Sequence, residues 1–389
     1  MSVESVLIRA IGLASPAPGP LPEAASIIAA EAAVIERHPQ FIGADGRPQT
    51  CGAVKSCLRE TDPVARLDHM LKKALAEMAP QGVRNTGGTH LFLALPDWLK
   101  TAGPLQQRMQ QALQHEAYTR FGPVTMVFND RVGGLTALAV AQEALVEKRV
   151  DIAIVAAADT FVAPMVLDML ALADRAPVSD AAYVPVPGEA AVSVVMTRDK
   201  GQPDALIRVI GTAKRVEPQR LGDHERGLMG RAVVEMVNEL MGQDAPALLV
   251  LDMNGERHRA EELGFVATTA RQLDIAERLP ILPALSVGDT GVASGLLAVA
   301  LTPFLGISQD PGDALIWVGN HNGKRIAARV APLVELAVAD AASLLDGEDW
   351  PIGDAPADDD PPADPPPRRP PPPDEDRTVI APLPGGGDR

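Results

Sequence analysis

Residues 130–141 read DRVGGLTALAVA, and residues 289–300 read DTGVASGLLAVA. The two stretches align without a gap and share five of their twelve residues. Each leads into a segment rich in Ala, Gly and Leu with few charges, which is typical of a helix buried on most sides. We expect these two helices over 132–147 and 292–304. The alignment indicates an internal duplication, although a chance match stays open because alanine-rich helices often align.

Short β-branched or apolar runs alternate with helical patterns along the rest of the chain. The predicted strands cover 6–11, 90–95, 124–128, 151–157, 190–196, 207–211 and 247–251, and a closing hairpin pairs 315–318 with 325–330. The other predicted helices cover 64–78, 106–118 and 226–241. Strands that alternate with helices predict an α/β fold.

The chain is acidic, with 35 Lys and Arg against 51 Asp and Glu and a net charge of −16. Nucleic-acid phosphates and anionic membrane surfaces would repel it, so we expect neither nucleic-acid binding nor membrane insertion. The first residues lack the basic and apolar regions of a signal peptide. Two cysteines are too few for a disulfide-stapled secreted domain. We therefore expect a cytoplasmic protein in which Cys51 and Cys57 are free thiols, with a bridge between them as the alternative.

Proline marks where the folded part ends. Residues 351–389 contain 13 of the 36 prolines, together with nine acidic and four basic residues. Their aliphatic content is too low to offset the entropy of ordering. The sequence therefore predicts a folded domain over 1–345, with halves of about 1–200 and 201–345, and a disordered Pro- and Asp-rich tail over 346–389.

Six segments resemble the β-ketoacyl synthases of the thiolase-like superfamily, in that family's order and spacing. They are VLIRAIGLAS at 6–15, the stretch from the glycines at 133–134 through VDIAIVAAAD at 150–159, GEAAVSVVM at 188–196, 207–211, 248–255, and SVGDTGVASG at 286–295. The resemblance implies a layered α/β/α/β/α thiolase-like fold of two pseudo-duplicated halves. It also implies a dimer that pairs through a strand such as 124–128.

The resemblance further implies a catalytic set that this chain does not have. The family's nucleophilic cysteine, two histidines and lysine match Arg131, Asn254, Asp289 and Ala284, in that order. Arginine stays protonated and cannot act as a nucleophile. A glycine-rich loop of the family is replaced by GNHNG at 319–323. We therefore predict a pseudoenzyme with no catalytic residue, no cofactor and no metal.

A cation at the N-terminus of a buried helix opposes the helix dipole by about 0.3–1 kcal/mol, so something should compensate it. The family geometry places the residues matching Arg131 and Asp289 across one small cavity. We therefore predict an Arg131–Asp289 ion pair with Asn254 bonded to either partner. The alternative is an Arg131 side chain that extends out of an unused pocket into solvent.

The seven histidines show no metal-binding spacing along the chain. We interpret His258 as a solvated residue at a helix start and His321 as a surface turn residue. A catalytic His321 is the alternative, because the loop it occupies borders the pocket of the resembled family.

The tail contains a second resemblance. Residues 376–387 read DRTVIAPLPGGG, which is similar to a short segment of type VI secretion components, notably the DotU-type subunit. In those proteins the threonine that matches Thr378 is phosphorylated by a dedicated kinase and read by a forkhead-associated domain. A phosphate on a flexible arm would add about −1.5 to −2 charges for an arginine-lined reader. A chance match in a proline-rich tail is the alternative.

Three functions are compatible with these features. The first is a non-catalytic adaptor or accessory protein, serving type VI secretion through Thr378 and its kinase and forkhead-associated partners. The second is a partner that resembles a chain-length factor and pairs with an active ketosynthase, which predicts a heterodimer in place of a homodimer. The third is an acyltransferase of the 3-oxoacyl-ACP synthase type that works through unfamiliar residues, with His321 as its base.

Overall fold

The computed structural model describes residues 5–42, 48–78, 88–172, 185–218, 230–305 and 312–334, which all lie in one unit, Met1–Gly347. The strands are β1 (Val6–Ala14), β2 (Glu36–Ile42), β3 (Pro48–Cys51), β4 (Thr89–Leu95), β5 (Val124–Phe128), β6 (Ile152–Thr160), β7 (Glu189–Arg198), β8 (Ile207–Val216), β9 (Leu248–Leu251), β10 (Ala314–Gly319) and β11 (Lys324–Pro332). The helices are α1 (Leu21–Ala29), α2 (Pro63–Met78), α3 (Asp97–Thr101), α4 (Gly103–Ala112), α5 (Glu116–Thr119), α6 (Gly133–Val146), α7 (Pro164–Leu172), α8 (Arg231–Met241), α9 (Arg257–Thr269), α10 (Pro283–Val287) and α11 (Ser294–Leu301). The predicted tail, with Thr378, lies outside the described residues.

One nine-stranded mixed sheet carries the fold, in the order β5-β4-β6-β7-β1-β8-β11-β10-β9. Its two halves repeat one pattern. In the first half β4 runs parallel to β6, and β6, β7 and β1 are successively antiparallel. In the second half β9 runs parallel to β10, and β10, β11 and β8 are successively antiparallel. The halves join through a short antiparallel pairing of β1 with β8. This topology confirms the predicted duplication.

Three apolar clusters divide the helices into layers. One contains α2, α4 and α5 on the outer face of the first half, and another contains α8 and α9 on the outer face of the second. The central cluster contains α1, α6 and α11 with the inner faces of both halves. The repeated helices α6 and α11 cross closely, since a Cβ atom on Gly295 would lie 2.7 Å from Leu135 Cγ. This layering of helices on both faces of the sheet is the one expected for the predicted thiolase-like fold.

The predicted strands are confirmed, each within a few residues of its observed bounds. The range 106–118 is helical as predicted except for residues 113–115, which divide it into the two helices α4 and α5. The His115 side chain accepts a hydrogen bond from the Ala117 N–H and so begins α5. The helix predicted over 292–304 is shorter, because 3-10 turns flank α11 at both ends. The helix predicted over 226–241 is α8, and residues 226–229 lie outside the described ones.

Two other expectations concern residues that the structure describes. Cys51 and Cys57 are buried and free, so the alternative of a bridge between them is wrong. Among the described helices, none has both the length and the apolar character that a membrane crossing requires.

Candidate functional site

A sharp backbone turn places Arg131 in the interior. β5 ends at Phe128, and Asp130 then takes a left-handed conformation with φ of 47° before α6 begins. This conformation is strained for a residue with a side chain. The Asp97 carboxylate stabilises the turn by accepting a hydrogen bond of 3.0 Å from the Asp130 N–H. The Arg131 side chain consequently lies in the core, and the residue is only 2% exposed.

Two carboxylates bind the Arg131 guanidinium. Its Nη2 donates to Asp289 Oδ2, and its Nη1 donates to Asp252 Oδ1 at 2.9 Å. The predicted Arg131–Asp289 ion pair is confirmed, and the alternative of a solvent-exposed Arg131 is wrong. Asp252 was not predicted. It follows β9 directly, and the end of that strand brings its carboxylate to the guanidinium.

Asn254 joins the same group through its side-chain amide. Its Nδ2 donates to Asp289 Oδ2 at 2.8 Å and to Glu256 Oε2 at 3.1 Å. Its predicted contact with one of the two ion-pair partners is therefore confirmed, on the Asp289 side. Ala284 lies half-buried in α10, and its methyl side chain has no polar atom to offer this group.

A second guanidinium, that of Arg259 in the first turn of α9, completes the group. Its Nε donates to Glu256 Oε2 at 2.9 Å, and its Nη1 donates to Asp252 Oδ2 at 3.1 Å. Its Nη2 donates to the Gly319 carbonyl at 3.1 Å. The charge cluster, as we name it, consists of Arg131, Asp252, Asn254, Glu256, Arg259 and Asp289.

Two histidines border the charge cluster. His321 Nε2 lies 2.7 Å from Glu256 Oε1, and the His321 and His258 rings are 5.1 Å apart. His321 is in the turn between β10 and β11, as predicted, but it is tied to a buried carboxylate. His258 does lie at the start of α9, yet the prediction that it is solvated is wrong, since its side chain is 12% exposed. Spacing along the chain gave no sign of this group, because His321 follows Glu256 by 65 residues.

Burial and neighbouring charges shift the pKa values of several groups in and beside the charge cluster. Burial favours the neutral form of Asp289, but the Arg131 guanidinium and the Gly291 N–H outweigh burial and lower the pKa of this carboxyl. Burial and the neighbouring carboxylates raise the pKa of Asp252 in spite of its two guanidinium partners. Burial also lowers the pKa of His258 to about 3, so this imidazole is neutral at physiological pH.

Asp159 ties the first half of the sheet to the second. It lies near the end of β6, and its Oδ2 accepts a hydrogen bond of 2.9 Å from the Val292 N–H just before α11. Its Oδ1 accepts one of 2.8 Å from the Thr160 N–H. Burial raises the pKa of Asp159 to about 7, even though these N–H groups favour its charged form. Asp159 ends the segment 150–159 that resembles a ketosynthase strand, and the resemblance implied no role for it.

A second buried ion pair lies away from the charge cluster. Arg66 in α2 binds the carboxylate of Glu189 at the start of β7, and both side chains are inaccessible to solvent. Arg66 also donates to the carbonyls of Cys57 and Glu60, while Glu189 accepts from the Val54 N–H. The pair therefore attaches the loop between β3 and α2 to the central sheet.

The two thiols are poor nucleophiles in the folded chain. Burial, with the nearby Glu189 carboxylate, raises the pKa of Cys51 to about 12 and that of Cys57 to about 11. Thiol reactivity requires the thiolate, which these environments suppress.

No protein-family model and no curated protein sequence matches the chain. Solved structures do. The ishigamide ketosynthase/chain length factor superposes with a TM-score of 0.61 at 19% identity, over 84% of this chain and 99% of the other. The chain has a ketosynthase fold. AntDE:AntF, a type II PKS acyl-carrier protein in complex with its ketosynthase bound to the hexaketide, gives a TM-score of 0.65 at 13% identity, over 85% of this chain and 100% of the other.

A third ketosynthase, from module 6 of the bacillaene synthase of Bacillus subtilis 168, gives a TM-score of 0.61 at 14% identity. It matches over 85% of this chain and 72% of its own length. These similarities extend over nearly the whole described part of the chain, so the ketosynthase fold applies to both of its halves.

Proposed function

We propose that this chain is a non-catalytic protein with a ketosynthase fold that acts by binding other chains. One observation carries the proposal. The position that matches the family's nucleophile holds an arginine whose charge is permanent and whose guanidinium is bound by two buried carboxylates, Asp252 and Asp289. Neither this group nor the buried thiols provide a nucleophile for acyl transfer.

The chain incubated with an acyl-CoA or an acyl-carrier thioester should gain no acyl mass and release no free thiol above the rate without protein. The reason is that Arg131 cannot be acylated, and that Cys51 and Cys57 are buried with raised pKa values. Intact-mass spectrometry and a thiol-release assay measure both. Turnover that survives replacement of both cysteines by serine but is abolished by His321→Ala would contradict the proposal and favour the acyltransferase alternative.

The edge strand β5 supports the binding role. Within the described sheet, β5 pairs with β4 on one side only. It is apolar, with Val124, Met126, Val127 and Phe128 all partly exposed in the single chain. An unpaired apolar edge is a template for adding another strand. We therefore assign β5 as the edge that pairs with the corresponding strand of a second ketosynthase-like chain.

Met126→Lys should weaken that association at least about tenfold, because it places a positive charge in the centre of the edge strand. In a symmetric dimer the same charge on the second chain would repel it. Sedimentation equilibrium of the full chain measures the dissociation constant. The control is Gln111→Lys, which adds the same charge on an exposed position of α4. Equal association of both variants would mean that β5 is not the pairing edge.

The identity of the second chain separates two forms of the proposal. One structural neighbour is a ketosynthase/chain length factor, and this similarity favours the alternative of an inactive subunit that pairs with an active ketosynthase. That form predicts that the purified chain dimerises weakly by itself and tightly with a ketosynthase that carries an intact Cys-His-His set. A stable homodimer that does not exchange with such a partner would contradict it.

The adaptor form places the partner at Thr378. It rests on the tail sequence at 376–387 and on the absence of a nucleophile at Arg131. Co-expression with a type VI secretion kinase should then add one phosphate at Thr378 and create binding to the matching forkhead-associated domain. Thr378→Ala is the test variant, and Thr101→Ala in α3 is the control. Unmodified Thr378, or reader binding that Thr378→Ala retains, would contradict the adaptor form.

A further inference from the structure

Three side chains from two separate segments converge beside the charge cluster. Glu256 is the N-cap residue of α9, His258 lies in the first turn of that helix, and His321 lies in the turn between β10 and β11. One ligand atom from each of the three residues lies within 4.8 Å of the other two. His321 Nε2 is 2.7 Å from Glu256 Oε1, and His258 Nε2 is 3.9 Å from Glu256 Oε2.

These distances suit a metal ion of the zinc type. Zinc bonds to histidine nitrogen and carboxylate oxygen are about 2.0–2.2 Å long, so two donors of a tetrahedral site lie about 3.3 Å apart. The His321 nitrogen lies 2.7 Å from Glu256 Oε1 and the His258 nitrogen 3.9 Å from Glu256 Oε2, and the donor atoms of the three residues all lie within 4.8 Å of one another. An ion would therefore require side-chain rotations that bring the two imidazoles and one oxygen of Glu256 together, and it would take the place of the hydrogen bond between His321 and Glu256.

Neighbouring hydrogen-bond donors orient the Glu256 carboxylate for binding a metal ion. Its Oε2 accepts hydrogen bonds from Arg259 and Asn254, which orient the carboxylate and leave Oε1 towards His321. Hydrogen bonds of this kind to a ligating carboxylate fix its direction and tune metal affinity. Arg259 keeps Asp252 and the Gly319 carbonyl as partners if Glu256 turns slightly.

The local charge also favours a cation. Among the described residues, the charge cluster brings three carboxyl groups close to the site, those of Asp252, Glu256 and Asp289. The neighbouring Arg325 forms its own buried ion pair with Glu262 and so adds no net charge. A divalent ion beside several carboxylates is attracted by their negative charge.

The group is reachable from solvent on its histidine side. The side chains of His258 and His321 are 12% and 23% exposed. An ion can therefore enter without unfolding the cluster, and one coordination position would face water.

We propose that Glu256, His258 and His321 form a binding site for a divalent transition-metal ion of the Zn²⁺ class. Two imidazoles with one carboxylate select zinc, cobalt or nickel over magnesium and calcium, which prefer oxygen ligands. The site is independent of the acyl-transfer chemistry that the chain lacks, so it stands whether or not the proposed binding function is correct.

The test uses the full chain without a histidine tag, with Zn²⁺ and Co²⁺ as probes. Calorimetry should show one saturable Zn²⁺ site per chain. His258→Asn and His321→Asn should each weaken binding at least about tenfold, while His69→Asn, which changes an exposed histidine of α2, should leave it unchanged. Absence of saturable binding, or the same affinity in all three variants, would overturn the proposal.

A measurement on the unmodified chain keeps the test valid if a variant fails to fold. Bound Co²⁺ should give the visible absorption of a four-coordinate nitrogen and oxygen site, without the thiolate charge-transfer band that Cys51 or Cys57 would produce. X-ray absorption of the Zn²⁺ form should show two imidazole ligands. A thiolate band, or a spectrum with no imidazole, would place the ion elsewhere and refute the site.

Discussion

Arg131→Ala should lower the free energy of unfolding by about 3–5 kcal/mol, the range for removing one partner of a buried ion pair. The substitution leaves Asp252 and Asp289 buried beside each other, with Arg259 as the nearest remaining guanidinium. Urea unfolding followed by tryptophan fluorescence measures the change. The control is Arg257→Ala, an exposed residue that forms an ion pair with Glu261 on the same helix, which should change stability by about 0.5 kcal/mol or less.

The effect of Arg131→Ala should depend on pH with a defined sign. In the unmodified chain the pKa of Asp289 is held below its usual range, so its contribution to stability is present above about pH 4 and lost on acidification. Without the guanidinium, burial raises the pKa of Asp289, and the charged carboxylate becomes the destabilising form. The loss should therefore be larger at about pH 7.5 than at about pH 5. A loss that grows on acidification would contradict the ion pair.

A double-mutant cycle with Asp289→Asn separates the pair from its surroundings. The double variant should be less destabilised than the sum of the single variants, because it removes the uncompensated charge along with the guanidinium. Additive effects would mean that Arg131 and Asp289 do not interact.

Hydrophobic patterning was sufficient to predict most strands of the central sheet, and the alignment of two stretches indicated its duplication. The strands of the core are short apolar runs, so their positions are local properties of the sequence, and the stretches 130–141 and 289–300 share five of their twelve residues. The Arg131–Asp289 pair could also be predicted, because the resemblance to a known family supplied the spatial relation. The fold class and the Arg131–Asp289 ion pair are therefore the features that could be predicted from the sequence.

The rest of the cluster depends on chain topology. β9 and β10 are parallel neighbours, and the carboxyl ends of parallel strands meet at one edge of a sheet. Asp252 and Glu256 follow β9, and His321 follows β10. These residues therefore meet at one edge of the sheet, which their spacing along the sequence does not indicate. The usable signal was a charged residue directly after a buried strand, at Asp252 after LLVL. Arg259 could not be predicted either, because no feature of the neighbouring sequence distinguishes it from the exposed Arg257.

Arg66→Met should lower the free energy of unfolding by about 3–5 kcal/mol, because it leaves the Glu189 carboxylate buried without a cation. It also removes the donors to the carbonyls of Cys57 and Glu60, so the loop between β3 and α2 should open locally and Cys57 should react faster with a thiol reagent. Urea unfolding and native-state alkylation measure the two effects.

Arg108→Met is the matched control for Arg66→Met, because Arg108 forms an ion pair with Asp62 that is exposed to solvent, and its loss should cost about 1 kcal/mol or less. Replacing both buried partners, with Arg66→Met and Glu189→Gln together, should recover part of the lost stability, since no uncompensated charge then remains in the core. Two results would contradict this: a loss of stability for Arg66→Met as small as that for Arg108→Met, or a double variant that is about 3–5 kcal/mol less stable than Arg66→Met. Either result would mean that Arg66 does not stabilise the buried Glu189 carboxylate. The attachment of this loop would then have to come from the hydrogen bond between the Val54 N–H and Glu189, which survives in the single variant.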